Sequence, residues 1–110
     1  MEETDTPEKV LDRMRNDDGI GGMIIRKDGK VLNSTVAVNE IGAGMISSLA
    51  NITDAMAKKI SDEQKEVEIT FKNLIIIMIP INEYYFCGMV KEREQKKQVR
   101  KYAEEAKRLL

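Results

Sequence analysis

Histidine is absent from the 110 residues, and cysteine occurs only once, at Cys87. Without histidine, the Ser-His-Asp and Cys-His nucleophile pairs cannot form, and histidine-ligated zinc and haem sites are excluded. A single cysteine cannot close an intramolecular disulfide, and an unpaired thiol is typical of a reducing compartment. These two shortages predict a protein that is not an enzyme, with no catalytic residue, no cofactor and no metal site.

The sequence also has few aromatic residues and a net charge close to zero. Tryptophan is absent, three tyrosines and two phenylalanines are present, and 18 basic against 19 acidic residues give a net charge of -1. Few rings are available to stack on single-stranded bases, and no basic excess is available to neutralise phosphates. The composition therefore disfavours nucleic acid as a partner.

Long hydrophobic runs are missing as well. The longest run, Leu74 to Ile81, is far shorter than the roughly 18 residues that a membrane-spanning helix needs. The first residues, Met1-Glu2-Glu3-Thr4-Asp5, are acidic and polar, whereas a secretory signal begins with basic residues followed by an apolar segment. We therefore expect no membrane insertion and a cytoplasmic location.

The chain has the size and composition of one domain. Hydrophobic residues make up 42% and charged residues 34% of the sequence, and no linker, repeat or low-complexity tract interrupts it. We expect a single domain over residues 1–110.

A short helix is predicted near the start. Thr6 can cap the first amides, Pro7 suits the first helical position, and Gly19 can adopt the left-handed conformation that ends a helix. Val10, Leu11 and Met14 share one face of this helix. The glycines that follow, Gly19-Ile20-Gly21-Gly22, lie between a helix and a strand, so they favour close packing rather than a phosphate-binding loop.

A β-hairpin comes next. Ile20 to Arg26 and Val31 to Val38 are rich in β-branched residues and flank the turn Lys27-Asp28-Gly29-Lys30. The Asp-Gly pair predicts a type I′ turn, in which both central residues have positive φ.

A long amphipathic helix is predicted from about Asn39 to Ile60. Its apolar residues recur at spacings of three and four: Ile41, Met45, Leu49, Ile52, Met56 and Ile60. Two glycines in its first turns, Gly42 and Gly44, should each cost about 0.5 to 1 kcal/mol relative to alanine, so we expect close packing to compensate.

Three strands and a helix complete the chain. Val67, Ile69 and Phe71 alternate with polar residues between Glu66 and Lys72, Leu74 to Ile79 is continuously apolar, and Tyr84 to Val90 forms a further strand. The segment from Lys91 carries one apolar helical face, made of Val99, Tyr102, Ala103, Ala106, Leu109 and Leu110. The predicted fold is α/β (α+β), with the order α-β-β-α-β-β-β-α and a five-stranded, mainly antiparallel sheet flanked by helices.

Small residues form two stripes on the long helix. Gly44, Ser48, Asn51 and Ala55 lie beside the apolar face, whereas Ala43, Ser47, Ala50 and Asp54 lie on its far side. Such a face lets a second helix approach closely, which indicates that the helix packs against a copy of itself. Alternatively, the small residues fit beneath a loop of the same chain or lie in solvent. The pattern leaves open which stripe forms the seam.

One cysteine and three arginines could in principle act chemically, but each is better explained by a structural or solubilising role. Cys87 lies among apolar strand residues without a cationic neighbour, which favours a buried and inert thiol. Arg26, Arg93 and Arg100 are each better explained as solubilising residues than as arginine fingers inserted into a partner's active site.

The order of these elements resembles the roadblock/dynein light chain family. The resemblance covers nearly the whole chain and rests on four segments in order: Gly19-Ile20-Gly21-Gly22-Met23-Ile24-Ile25, Asp28-Gly29, the helix opening at Asn39-Glu40, and Leu74 to Pro80-Ile81. The abundance of isoleucine, lysine and glutamate departs from the family pattern and fits an archaeal or heat-adapted source.

The resemblance implies a profilin-like architecture and a homodimer in which the long helices pack together and edge strands join. We expect the dimer interface to contain Gly44, Ser48, Asn51, Ile52, Ala55, Val67, Ile69 and Phe71. It also implies a non-enzymatic scaffold or regulator that binds a small Ras-like GTPase. A small-ligand sensor module of profilin-like fold and a purely structural assembly subunit are the alternative functions.

Overall fold

Three α-helices and five strands follow one another in the predicted order. The computed structural model describes residues 4–110, so residues 1–3 of the acidic N-terminal segment lie outside it. The helices are α1 (Pro7–Asp18), α2 (Glu40–Lys59) and α3 (Lys96–Lys107), with a 3-10 helix (Arg93–Gln95) before α3. The strands are β1 (Gly21–Arg26), β2 (Val31–Ser34), β3 (Val67–Thr70), β4 (Ile75–Ile81) and β5 (Tyr84–Val90).

The strands form one antiparallel sheet with the order β2-β1-β5-β4-β3, which confirms the predicted fold class. β2 and β3 are therefore the two edges of the sheet. None of the helices formed by residues 4–110 is long and apolar enough to span a membrane.

Helix α1 begins and ends at the capping residues that the sequence predicts. The Thr6 hydroxyl accepts a hydrogen bond from the Lys9 amide at 3.2 Å, and Pro7 occupies the first turn. Gly19 has φ of 67°, and its amide donates to the Arg15 carbonyl at 2.9 Å. The predicted N-cap and left-handed C-cap are both confirmed.

The sheet buries apolar side chains on both faces. On one face, α1 and α3 cover a core that includes Ile24, Ile77 and Phe86. On the other face, α2 covers a core that includes Met23, Ile25, Met78, Tyr85 and Cys87. Because successive side chains of a strand point to opposite faces, the continuous apolar sequence of β4 contributes to both cores.

Two central strands carry glycines where helices approach closely. A Cβ atom on Gly22 would lie 2.8 Å from the Cys87 carbonyl oxygen and would overlap the Met14 side chain of α1. A Cβ atom on Gly88 would lie 2.5 Å from Cγ2 of Val99 in α3. The expectation that the glycines near the start of β1 permit a close approach is therefore confirmed.

The β1–β2 turn differs from the predicted type I′ geometry. The Arg26 amide donates to the Lys30 carbonyl at 2.7 Å, so the loop has three residues, and of these Gly29 has positive φ, at 99°, whereas Asp28 does not. This is a type I turn followed by a left-handed glycine, which places a single positive φ at glycine instead of two in succession.

Three elements are shorter than predicted. β2 ends at Ser34 because the Thr35 amide and hydroxyl both bond the backbone of Gly22, which turns the chain away from the predicted course to Val38. β3 ends at Thr70, before Phe71, and α3 begins at Lys96 rather than near Lys91.

β4 continues through Pro80, beyond the predicted end at Ile79. β3 pairs with β4 only from Ile75 to Met78, so the segment of β4 that contains Pro80 has no neighbour on that side. A proline lacks an amide hydrogen and is tolerated where one side of a strand is unpaired.

We predict that Gly88→Ala lowers the free energy of unfolding by about 1 to 3 kcal/mol, because the added methyl overlaps the stiff Val99 side chain. Urea unfolding at fixed protein concentration measures the change. Val99→Ala should cost less stability in the Gly88→Ala background than alone, since it removes the overlapping methyl groups. Equal costs in both backgrounds would contradict the close contact.

Candidate functional site

The apolar face of α2 points to solvent, although an amphipathic helix normally buries such a face against its own core. The exposed fractions of its side chains are 75% for Ile41, 68% for Met45, 39% for Leu49, 59% for Ile52, 62% for Met56 and 73% for Ile60. We call these six residues the α2 ridge. The ridge is a continuous apolar surface of the kind that marks an interaction site.

Small residues on the opposite face of α2 contact the sheet. Ala43 and Ala50 are 0% exposed and Ser47 is 3% exposed. The β1–β2 turn approaches the same part of the helix, because a Cβ atom on Gly29 would lie 3.3 Å from Cα of Gly44. Three of the four residues of the second small-residue stripe, Ala43, Ser47 and Ala50, therefore pack within the chain, whereas Asp54 is partly exposed and bonded to Lys58.

The first small-residue stripe borders the α2 ridge. Ser48 and Ala55 are exposed, and Gly44 is half-buried with no heavy atom within 4 Å of its Cβ position. These three residues leave free space beside Ile52, which is itself exposed. The structure thus brings four of the predicted interface residues together on one accessible surface.

Asn51 belongs to the same stripe but is bonded within the chain. Its Nδ2 atom donates to the Lys27 carbonyl at 2.8 Å, and its Oδ1 atom accepts a hydrogen bond from the Tyr85 hydroxyl. These two bonds connect α2 to the end of β1 and to β5. Asn51 therefore fixes how α2 is oriented on the sheet, a role that the sequence pattern did not indicate.

The predicted interface residues of β3 lie on the same side of the sheet as α2. Val67 and Ile69 are half-buried against the α2 core, whereas Phe71 lies beyond the end of the strand and is 55% exposed. The loop before β3 is bonded to α2, since Nε2 of Gln64 donates to the Ala50 carbonyl at 3.3 Å. Helix α2 and strand β3 therefore form neighbouring parts of one surface.

The acidic side chains along β3 are bonded to α3. Glu66 accepts two hydrogen bonds from Arg100, at 2.9 and 3.0 Å, and Glu68 accepts one from Lys96 at 2.9 Å. The bond from Lys96 lowers the pKa of Glu68, and the bond to Glu66 raises the pKa of Arg100. These carboxylates hold β3 against the helix layer instead of projecting from its free edge.

The two sheet edges differ in regularity. In β2, Leu32 has no partner on β1, because the register shifts between Ile24 and Ile25. In β3, the pairing with β4 runs from Val67 to Thr70 without interruption. A bulge protects an edge from pairing with another strand, so β3 is the edge better suited to pair.

Of the residues weighed for chemistry, Cys87 is buried, and Arg26 and Arg100 are bonded to carboxylates of the same chain. Burial raises the pKa of the Cys87 thiol to about 12, which agrees with the predicted inert thiol. Arg26 is bonded to Asp28, which lowers the pKa of Asp28 to about 2. Within residues 4–110, no group of three or more acidic or cysteine side chains is placed to hold a metal ion.

A cleft of about 460 Å³ lies between α3 and the end of β4, on the face opposite α2. Two of its charged groups, Glu66 and Arg100, bond to each other rather than pointing jointly at the cavity. The lining also includes the charged residues Glu63, Lys65, Glu104 and Lys107.

Comparison with known proteins places this arrangement in a family. The sequence profile of the Roadblock/LC7 domain matches residues 6–91. No curated protein is significantly similar in sequence.

Solved structures share the fold at low sequence identity. Myxococcus xanthus MglB superposes with a TM-score of 0.80 at 16% identity, covering 97% of this chain and 87% of that one. A structure described as MglB with tetrameric arrangement gives 0.72 at 18% identity, covering 96% and 88%. Acanthamoeba castellanii profilin IB gives 0.67 at 12% identity, covering 93% and 94%, which agrees with the predicted profilin-like architecture.

We predict that Asn51→Ala lowers the free energy of unfolding by about 1 to 2 kcal/mol, since it removes both bonds that connect α2 to the sheet. Urea unfolding at fixed concentration measures the change. The exposed neighbour Ser48→Ala, with no such bonds to the sheet, should shift stability by less than about 0.5 kcal/mol. An equally small effect of Asn51→Ala would show that the two bonds do not hold α2.

Proposed function

Because the chain belongs to the Roadblock/LC7 domain family, we propose that it is a non-enzymatic scaffold or regulator that acts as a cytoplasmic homodimer and binds a small Ras-like GTPase. The observation that carries the proposal is the α2 ridge, an apolar surface that its own chain leaves uncovered. The chain acts as one domain, residues 1–110, through surface contacts rather than through catalytic residues.

Covering the α2 ridge is the main driving force for self-association. Burial of one large aliphatic side chain contributes about 1.5 to 3 kcal/mol. Five ridge residues are more than half exposed: Ile41, Met45, Ile52, Met56 and Ile60. Part of this gain is offset by the loss of translational and rotational freedom on association. A partner that covers most of the ridge would remove these apolar side chains from water.

Strand β3 supplies a second contact. The Phe71 amide donates to the Leu74 carbonyl at 2.7 Å, and the alternation of an antiparallel ladder then directs the backbone groups of Glu68 and Thr70 away from β4. These groups are free to bond the same strand of another copy. Val67, Ile69 and Phe71 would then lie beside the partner's apolar surface.

The proposed interface contains the residues that the sequence predicts, and these residues have different roles in it. Gly44 has no side chain, and Ser48 and Ala55 have small ones, so a partner helix could approach closely beside Ile52. Asn51 borders the seam and orients α2 through its bonds within the chain. The tetrameric arrangement named for one MglB structure shows that a protein of this fold self-associates, which supports the proposal.

The proposed GTPase partner would bind the surface that two copies form together. Membership of the Roadblock/LC7 domain family supports this class of partner. The dimer is the premise of this binding, so the two are tested separately.

We predict that Ile52→Glu weakens the dimer at least tenfold, since it removes apolar burial and places a charge in the seam. Light-scattering mass across a dilution series measures dissociation, and the unchanged protein should remain near twice 12.5 kDa. Leu32→Glu is the matched control, because Leu32 is 44% exposed on the opposite edge of the sheet. A monomeric unchanged protein, or equal weakening by both variants, would overturn the proposed seam.

We expect the dimer to shift the elution volume of a Ras-like GTPase in gel filtration, and to do so in one nucleotide state more than in the other. The GTPase is loaded with GDP or with a non-hydrolysable GTP analogue, and Ile52→Glu serves as the dimer-deficient control. An intact dimer that binds neither state would exclude GTPase regulation and leave a structural assembly subunit.

A further inference from the structure

Helix α1 presents acidic side chains to solvent, because its basic side chains are bonded within the chain. Lys9 and Arg15 donate to backbone carbonyls, at 2.9 and 2.6 Å, and Arg13 donates two bonds to a carboxylate, both at 3.0 Å. Three exposed acidic residues of α1 make no side-chain hydrogen bond or ion pair with residues 4–110: Glu8, Asp12 and Asp17. We call these three residues the α1 acids.

The neighbouring helix α3 presents the opposite charge. Lys97, Lys101 and Arg108 are exposed, and their spacing of four and then seven residues places them on one face of the helix. None of the three makes an ion pair with residues 4–110, and Glu104 is the one acidic residue on the same face. We call the three basic residues the α3 cations. The outer surface of the helix layer therefore consists of an acidic part and a basic part.

The two helices lie side by side and run in opposite directions. The Tyr102 hydroxyl donates to Asp18, and Nη2 of Arg13 lies 3.6 Å from Oε1 of Glu105. Moving towards the start of α1 therefore corresponds to moving towards the end of α3. The α1 acids and the α3 cations accordingly form two adjacent, antiparallel rows on the surface opposite α2.

Two such rows are complementary to a second copy of themselves. A half-turn about an axis that is parallel to both helices and midway between them places α1 of one copy over α3 of the other, without shifting any residue along the axis. Asp17 and Lys101 are at one level, because their neighbours in sequence are bonded to each other, and Asp12 and Arg108 are nearly level further along. Each acid therefore meets a cation of the other copy, and each contact occurs twice. A half-turn about an axis perpendicular to the helices would instead place acids on acids.

We propose that the surface formed by α1 and α3 is a self-association site, on which a second copy of this chain docks with its α3 cations against the α1 acids. The surface lies on the face of the sheet opposite α2, so this contact is compatible with the proposed dimer but does not depend on it. Because exposed ion pairs each contribute little and are screened by salt, the association is weak and depends on ionic strength.

The salt dependence of the mass tests the proposal. Ile52→Glu, which is expected to break the contact at α2, isolates the surface of α1 and α3. Sedimentation velocity compares this variant at about 0.01 M and about 1 M salt, where the Debye length is about 30 Å and about 3 Å. With rising protein concentration we expect the mass to increase from 12.5 kDa towards twice that value at low salt, and to remain at 12.5 kDa at high salt.

The two salt conditions separate this contact from the dimer of the proposed function. The mass of the unchanged protein at high salt measures the contact at α2, whereas the increase of mass at low salt measures the contact at α1 and α3. A mass that does not change with salt at any protein concentration overturns the self-association site, whatever the mass at high salt shows about α2.

A charge exchange tests the pairing of the rows. Asp12→Lys and Arg108→Glu should each raise the dissociation constant at low salt about threefold to tenfold, because two repulsive contacts replace two attractive ones, and the double variant should restore it. Asp62→Lys, the same change of charge in the exposed loop after α2, is the matched control and should have little effect. Additive weakening in the double variant, or equal weakening by Asp62→Lys, would overturn the contact between Asp12 and Arg108 of the second copy.

Discussion

The packing of small α2 side chains against the sheet is the interaction on which the rest of this structure depends. Ala43, Ser47 and Ala50 are almost fully buried, and Gly44 lies against the turn glycine Gly29. With this face of α2 directed inward, the larger apolar side chains lie on the opposite side and point to solvent. The chain therefore leaves the apolar ridge of α2 uncovered.

On the face of the sheet opposite α2, α1 and α3 form a second helix layer. α1 and α3 are connected by the hydrogen bond from Tyr102 to Asp18, and α3 holds the edge strand β3 through Lys96 and Arg100. Because these ion pairs are partly exposed, each contributes little stability, but together they direct the carboxylates of β3 away from its free edge. The edge and the exposed face of α2 therefore remain available on the same side of the molecule.

Most elements were predictable because local chemistry determines them. The Thr6 cap and the left-handed Gly19 terminate α1 where expected, and β5 has the predicted bounds. The errors arose where neighbouring segments intervene: Thr35 bonds Gly22 and shortens β2, and β4 extends through Pro80 because β3 stops before it. In the β1–β2 turn, the Asp-Gly pair located the loop correctly, but a three-residue loop replaced the type I′ turn.

The sequence by itself determined the order of the elements, the residues that make up each face of α2, and the lack of the groups that most catalytic sites use. These properties depend on composition and on the spacing of neighbours along the chain. Only the tertiary structure decided which face of α2 meets the sheet, because a helix with large apolar residues on one side and small residues on the other can bury either. The decision depends on Gly29 and Lys27, which approach α2 from a distant part of the sequence and leave space only for small side chains and for the bond to Asn51.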